Sequence, residues 1–432
     1  MSLVIKNTSI LLGKNLTFVR CGYIEIGKDG TITKAGSGDY KGRISGSCNV
    51  LDGEGFLIMP GFVNAHTHIG DSIAKDIAVD TGLYGRVHPV FGAKRKILQR
   101  SKPEHLKTFI RSSAMSMMKS GIVAFADFRE GGAEGINLLR DAIFDLPIKC
   151  LVLGRLEYYF DLTIKPKRKS RDNKQLKNDQ DNKKKLIPPK QLQIASSLLE
   201  MADGFGISGA NENTNESLQQ YNTLLQNSNN KKVNKKKQIM AIHAAESKDT
   251  QAFSILHTHE TEVSRIVRYL KPNFIVHMTK ATDADISMVS KNRIGIVVCP
   301  RANGVLGTGI PKIAKMLKFR CIIAIGTDNV MLNSPDIFRE LDYIWKTSRS
   351  IEEEFISAKD ILKMSTVNGA EILGINSGYI GPRQAADIIF IDKNHIDLYP
   401  IHNPYASIIH RANRDSIKGV MINGKFVDGV NV

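Results

Sequence analysis

Two histidines one residue apart, His66 and His68, close the apolar run Leu57-Ile58-Met59-Pro60-Gly61-Phe62-Val63-Asn64-Ala65. Side chains on a strand alternate between its faces, so residues i and i+2 project together. A His-x-His at a strand end therefore aims two imidazoles at one point, as a metal site requires. Two nitrogens do not complete such a site. Other apolar runs end in groups of the same kind: His243-Ala244-Ala245-Glu246, His277 after Phe274-Ile275-Val276, and Thr327-Asp328-Asn329. Each can bind a metal or move a proton. A second pair, His257-Thr258-His259, lies in a stretch with a helical pattern, residues 250–270, where i and i+2 do not face one another. It reads as surface or helix-packing histidine.

These groups need a scaffold that brings distant strand ends together. Eight strand-like runs are visible, at 57–65, 122–128, 148–156, 204–208, 238–243, 274–277, 294–299 and 321–327. They are rich in Val, Ile and Phe and apolar on both faces, as buried parallel strands are. Amphipathic stretches fall between them, including 103–119, 136–144, 189–202 and 250–270, and Ser334-Pro335 reads as the N-cap and first turn of a helix through about 346. Eight β/α alternations predict an α/β protein built on a (β/α)8 TIM barrel. In that fold the site forms at the C-terminal ends of the strands, where these histidines and acids fall. Short strands at both ends of the chain predict a small β-sandwich assembled from both termini, residues 1–55 with 375–432, around a barrel of 56–374.

Composition narrows the class further. Hydrophobic residues make up 42% and charged residues 24%, which is ordinary for a soluble globular chain. No apolar run reaches the roughly 20 residues of a membrane span, and the opening residues lack the pattern of a signal peptide. Five scattered cysteines read as reduced thiols, so a cytoplasmic location is expected. The net charge of +17 is concentrated: residues 164–190 hold eleven Lys/Arg against three acids, and 228–237 hold five lysines and no acid. Both runs are rich in Asn, Gln and Ser and have no interleaved aromatic to stack on bases, so they read as solvated insertions rather than a nucleic-acid surface. No phosphate-binding P-loop is present, and the glycine run Gly304-Val305-Leu306-Gly307-Thr308-Gly309 has the wrong spacing for a dinucleotide fingerprint.

The ordered set Pro60-Gly61-Phe62-Val63-Asn64-Ala65-His66-Thr67-His68, His243-Ala244-Ala245-Glu246, His277 and Thr327-Asp328-Asn329 resembles the amidohydrolase superfamily, over nearly the whole chain. More closely it resembles the aminohydrolase and chlorohydrolase branch, with barrel-type adenosine, S-adenosylhomocysteine, guanine and cytosine deaminases. The resemblance implies that His66, His68, His243 and Asp328 ligate one divalent metal ion, zinc or, as an alternative, iron. It implies that Glu246 shuttles a proton, that His277 bonds the attacking water or developing oxyanion, and that Asp328 shares in proton transfer. Two-metal relatives carry a modified lysine at the end of the fourth strand; here that region reads Asp203-Gly204-Phe205-Gly206-Ile207-Ser208, so one ion is expected.

The implied reaction is metal-dependent hydrolysis of a non-peptide carbon–nitrogen bond, foremost deamination of a nucleobase-like or other N-heterocycle. The same site could open a cyclic amidine or imidazolone or displace chloride, and a non-catalytic binding protein is the distant alternative. Substrate contacts are less constrained. Arg129, Arg155 and Arg301 follow three different strands and could bind a phosphate or carboxylate on an anionic substrate. They could equally make structural pairs with Asp127, Glu130 or Glu157. Asn303 is a substrate contact by resemblance only. The long segment 70–95 has the place of a lid or specificity loop. A homo-oligomer is left open.

Overall fold

The computed structural model describes residues 2–43, 48–160, 186–231 and 237–427. Most of the two lysine-rich runs, 164–185 and 232–236, lies outside the described residues.

The central scaffold is a parallel sheet that closes on itself. In order its strands are Phe62–His68, Ile122–Arg129, Lys149–Gly154, Gly204–Ile207, Ile239–Ala244, Phe274–His277 and Gly295–Val298, each paired in parallel with the next. The eighth strand comes in two pieces. Ile323–Ile325 pairs with the seventh strand, and Asp328–Asn329 pairs with Thr67 and His68 of the first. Between the pieces, the Gly326 N–H donates to Val298 O (3.0 Å) and the Thr327 N–H to His66 O (3.1 Å), so the barrel is closed by hydrogen bonds on both sides of that break. A Cβ on Gly326 would lie 2.7 Å from His66 Cβ, so this closure requires glycine there. Strands buried on both faces explain the continuous apolar runs: every residue of Phe62–His68 and Ile122–Arg129 is buried.

The termini build a second, eight-stranded sheet curled around its own core of Ile5, Ile10, Ile24, Ile58, Ile388 and Phe390. Ser2–Leu12 runs antiparallel to Thr17–Ile26 and parallel to Cys48–Asp52, then to Phe56–Pro60 at Ser9 and Ile10. From the other end of the chain, Ile388–Asp392 pairs with Phe56–Pro60, and Ile417–Ile422 pairs with Ile388–Asp392.

The run 57–65 is therefore not one strand. Its first half belongs to the terminal sheet and its second half to the barrel, with the switch at Gly61. The Gly61 N–H donates to Asp387 O in one sheet and the next N–H, Phe62, to Gly121 O in the other, both at 2.9 Å. A Cβ on Gly61 would meet Val123 Cγ1 at 2.3 Å, so the crossing needs glycine. The first strand of the barrel sheet is thus Phe62–His68.

Helices cover the barrel, and Pro103–Lys119 matches its predicted span. The stretch 250–270 is not one helix: Lys248–Thr258 ends where His259 turns left-handed (φ 59°), and Glu262–Arg265 restarts after the Thr261 cap. The helix near 334 is capped by Asp336, which accepts from the Arg339 N–H, and spans Ile337–Ile351, so Ser334-Pro335 precedes it instead of opening it. No helix among the described residues is long and apolar enough to cross a membrane.

Candidate active site

Four strand ends meet at one rim of the barrel. His66 Nε2 lies 3.3 Å from both His243 Nε2 and Asp328 Oδ1, and His68 Nε2 lies 3.4 Å from His243 Nε2 and 3.7 Å from Asp328 Oδ1. The other ring nitrogens fix two of the tautomers. His68 Nδ1 faces Glu130 Oε1 (2.8 Å) and Phe128 O (3.2 Å), and His243 Nδ1 faces Ile207 O (3.1 Å), so each Nδ1 carries the proton and donates. Each Nε2 then turns a lone pair toward the same point. Burial holds all three imidazoles neutral, with His68 lowered to about 3. Two lone pairs converging with His66 Nε2 beside a carboxylate fit a divalent cation. Three imidazole nitrogens and one carboxylate oxygen are a donor set suited to zinc and acceptable to iron.

Phe128 supports the cluster from below, edge-on to His66 at 4.4 Å and to His243 at 4.8 Å between ring centroids. The backbone at this rim is held in unusual conformations. Ala245, His277, Met278 and Asp328 all have positive φ (52°, 78°, 54° and 61°), the kind of strain that persists where the surrounding structure over-determines it.

Beside the cluster stand Glu246 and His277, with Glu246 Oε2 3.6 Å from His277 Nε2. Asn303 Nδ2 donates to His277 Nδ1 (3.1 Å), which leaves the His277 proton on Nε2, facing Glu246. Burial pushes the Glu246 carboxyl well above its ordinary range, reinforced by Asp328, Glu262 and Glu212. Burial lowers His277 to about 4, so it stays neutral and donates. Glu262 Oε2 accepts the Ala245 N–H (2.9 Å) and so fixes the turn that carries Glu246. Above these groups lies a cavity of about 420 Å³, walled by Leu83, Tyr84, Val87 and His88 of the segment 70–95 and by Phe253.

The substrate contacts expected from sequence separate clearly. Arg155 lines the cavity. Arg129 does not: its Nε donates to Gly135 O (2.9 Å) and its guanidinium is buried beside Asp127. Arg301 is held by Glu340 Oε1 (3.3 Å), Ser334 O and Asn333, away from the cavity lining. Asn303 is fully buried, and its Nδ2 donates to His277 Nδ1. Arg129 and Arg301 each have a carboxylate and a carbonyl within reach inside the protein, and Arg155 has Glu130 Oε1 at 3.5 Å.

Sequence reasoning missed the group behind His68. Glu130 Oε1 receives His68 Nδ1, Lys94 Nζ (2.6 Å) and Arg155 Nη1 (3.5 Å) at one atom. Glu130 directly follows the second strand, the position that would have flagged it. Lys94 carried no local signal within the segment 70–95.

Residues 57–427 match the model of the amidohydrolase family. The chain belongs to that family. A Methanothermobacter thermautotrophicus protein provisionally named an aminohydrolase is 34% identical over 98% of this chain and 99% of its own length. A 5-methylthioadenosine/S-adenosylhomocysteine deaminase of Syntrophus aciditrophicus is 26% identical over 99% of this chain and 91% of its own. Among solved structures, a zinc-bound adenosine deaminase from Xanthomonas campestris superposes with a TM-score of 0.78 at 18% identity, covering 98% of this chain and 92% of that one. This amidohydrolase is thus an enzyme that uses metal to hydrolyse carbon–nitrogen bonds other than peptide bonds.

Proposed function

We propose that this amidohydrolase is a one-metal aminohydrolase that replaces the ring amino group of a nucleobase-like or related N-heterocycle with oxygen and releases ammonia. The observation that carries this reading is the convergence of three Nε2 atoms and Asp328 Oδ1 beside the Glu246–His277 pair. His66, His68, His243 and Asp328 would hold the ion, with zinc the best match to the donors. A single ion is supported by the fourth strand, Gly204–Ile207, which supplies no lysine to bridge a second. The relatives named as deaminases support the choice of leaving group.

A divalent ion held there supplies the Lewis acidity that makes water a competent nucleophile near neutral pH. The chain's own groups do the rest. The raised Glu246 carboxyl is poised to take a proton and return one to a ring nitrogen or the departing amine. His277, kept as the Nε2–H tautomer by Asn303, donates to the oxygen that adds to the ring carbon. Glu262 holds the Ala245-Glu246 turn in register with both. The cavity of about 420 Å³ has room for a bicyclic heterocycle. All five cysteines are free, which supports a cytoplasmic setting.

The test is ammonia release by metal-loaded enzyme across amino-substituted purines, pyrimidines, pterins and their nucleosides. Turnover of at least one, lowered by about 10²–10⁴-fold in Glu246→Gln, is expected. An enzyme inert to all of them but active on a cyclic amidine or a chlorinated ring would overturn the deaminase reading.

A further inference from the structure

The glycine run 304–309 plays no part in the chemistry above, yet it forms one wall of a second cleft. That cleft, of about 530 Å³, lies between the turn at Gly82 and Gly85, the segment Ser247-Lys248-Asp249, Lys280, and the loop Leu306-Gly307-Thr308-Gly309. It opens beside the catalytic cavity, and the two share Leu83, Tyr84 and Asp249 as lining. A molecule bound at the metal-facing groups could therefore extend into it.

The charge changes sign between the two spaces. The inner cavity is lined by Glu212, Glu246, Asp249, Glu262 and Asp328, and its two cations, Lys94 and Arg155, are already paired with Glu130. It offers an anion little. The outer cleft is lined by Lys248 and Lys280 with Asp249 as its one acid, and Lys312 is close enough to act on Lys280. None of these three lysines forms an ion pair among the described residues. Burial lowers the Lys280 ammonium, and the nearby charges of Lys248 and Lys312 lower it further, so three cations stand near one another against the single carboxylate of Asp249. The loop is shaped around that ammonium. Gly309 has φ +99°, and a Cβ at this position would lie 2.3 Å from Lys280 Nζ. Gly307 is also left-handed, at +68°, with nothing within 4 Å of where its Cβ would be, which leaves the backbone open to a ligand.

We propose that this cleft is an oxyanion subsite of the active site, taking a phosphate or carboxylate substituent on the heterocyclic substrate, with Lys280 and Lys248 as its binding cations. This rests on the aminohydrolase reading for the ring and adds the substituent. It moves substrate charge recognition away from Arg129 and Arg301 to lysines that follow the fifth and sixth strands. The segment 70–95 then separates a carboxyl-rich chamber for the ring from a basic one for the tail.

The test compares an amino-bearing nucleoside that the enzyme deaminates, its monophosphate and a carboxylate-bearing analogue in wild type, Lys280→Met and Lys280→Arg. Wild type is expected to favour an anionic member at least tenfold in kcat/KM, mostly through KM; which member is favoured names the tail. Lys280→Met should erase that preference while turnover of the neutral nucleoside stays within twofold, and Lys280→Arg should keep most of it. Equal losses on neutral and anionic substrates, or no preference in wild type, overturn the proposal. Inorganic phosphate titrated into the zinc-loaded enzyme gives a readout independent of deamination. Its affinity should fall about tenfold in Lys280→Met, and an unchanged affinity contradicts the subsite even if the ring chemistry holds.

Discussion

Glu130→Gln removes one negative charge from the point where a metal-facing imidazole and two buried cations meet. Glu130 Oε1 lies 2.8 Å from His68 Nδ1, 2.6 Å from Lys94 Nζ and 3.5 Å from Arg155 Nη1, with Lys94 4% and Arg155 5% exposed. The glutamine oxygen can still accept from His68, so the tautomer survives, but the carboxylate that raises the basicity of the ring is gone. Loss of such a partner costs about 10–100-fold in metal affinity, equivalent to roughly 1.4–2.7 kcal/mol. The two cations, left in a dry site without a counter-charge, cost about 3–5 kcal/mol of folding stability on top of this. Zinc affinity measured by competition with a chromophoric chelator, and urea unfolding of the metal-free protein, separate the two effects. The double variant Glu130→Gln/Lys94→Met should regain part of the stability and none of the metal affinity. Wild-type zinc affinity in Glu130→Gln, together with lost stability, would show that Glu130 only neutralises its neighbours and would refute the link to His68.

Two further outcomes follow from the same geometry. Glu246→Gln keeps the shape of the site but removes the proton acceptor, so kcat should fall by about 10²–10⁴-fold with metal content unchanged; loss of the ion in that variant would place Glu246 among the ligands instead. Glu262, raised by burial to about 7, binds in the folded state a proton that the unfolded chain releases at lower pH. Its contribution to stability is full below the unfolded value and is lost as pH rises through about 7. The unfolding free energy of Glu262→Gln relative to wild type should therefore rise between pH 5 and pH 8, by on the order of 3 kcal/mol at most; a pH-independent difference would contradict the burial argument.

The legible part of this enzyme was whatever a single strand end could carry. His66, His68, His243, His277 and Asp328 each close a buried apolar run, and the barrel brings such ends to one rim. Breaks inside apolar runs were not legible: residues 57–65 look continuous, yet Gly61 moves the chain from one sheet to the other through two backbone hydrogen bonds. The helical pattern over 250–270 likewise hid the left-handed His259. Side-chain partners from distant segments were beyond reach for the same reason. Arg301 and Glu340 are 39 residues apart, Lys94 and Glu130 36, and nothing local in either stretch says that they meet. The two lysines of the outer cleft follow different strands, and nothing within the glycine run says that Gly309 meets Lys280 Nζ.

The most direct measurement is the metal content of the purified enzyme beside that of His66→Ala, read by elemental analysis after removal of loosely bound ions. One ion per chain, zinc foremost, is expected, and its loss in His66→Ala with the fold retained by circular dichroism. Two ions per chain, or one ion held undiminished without His66, would contradict the single site formed by His66, His68, His243 and Asp328.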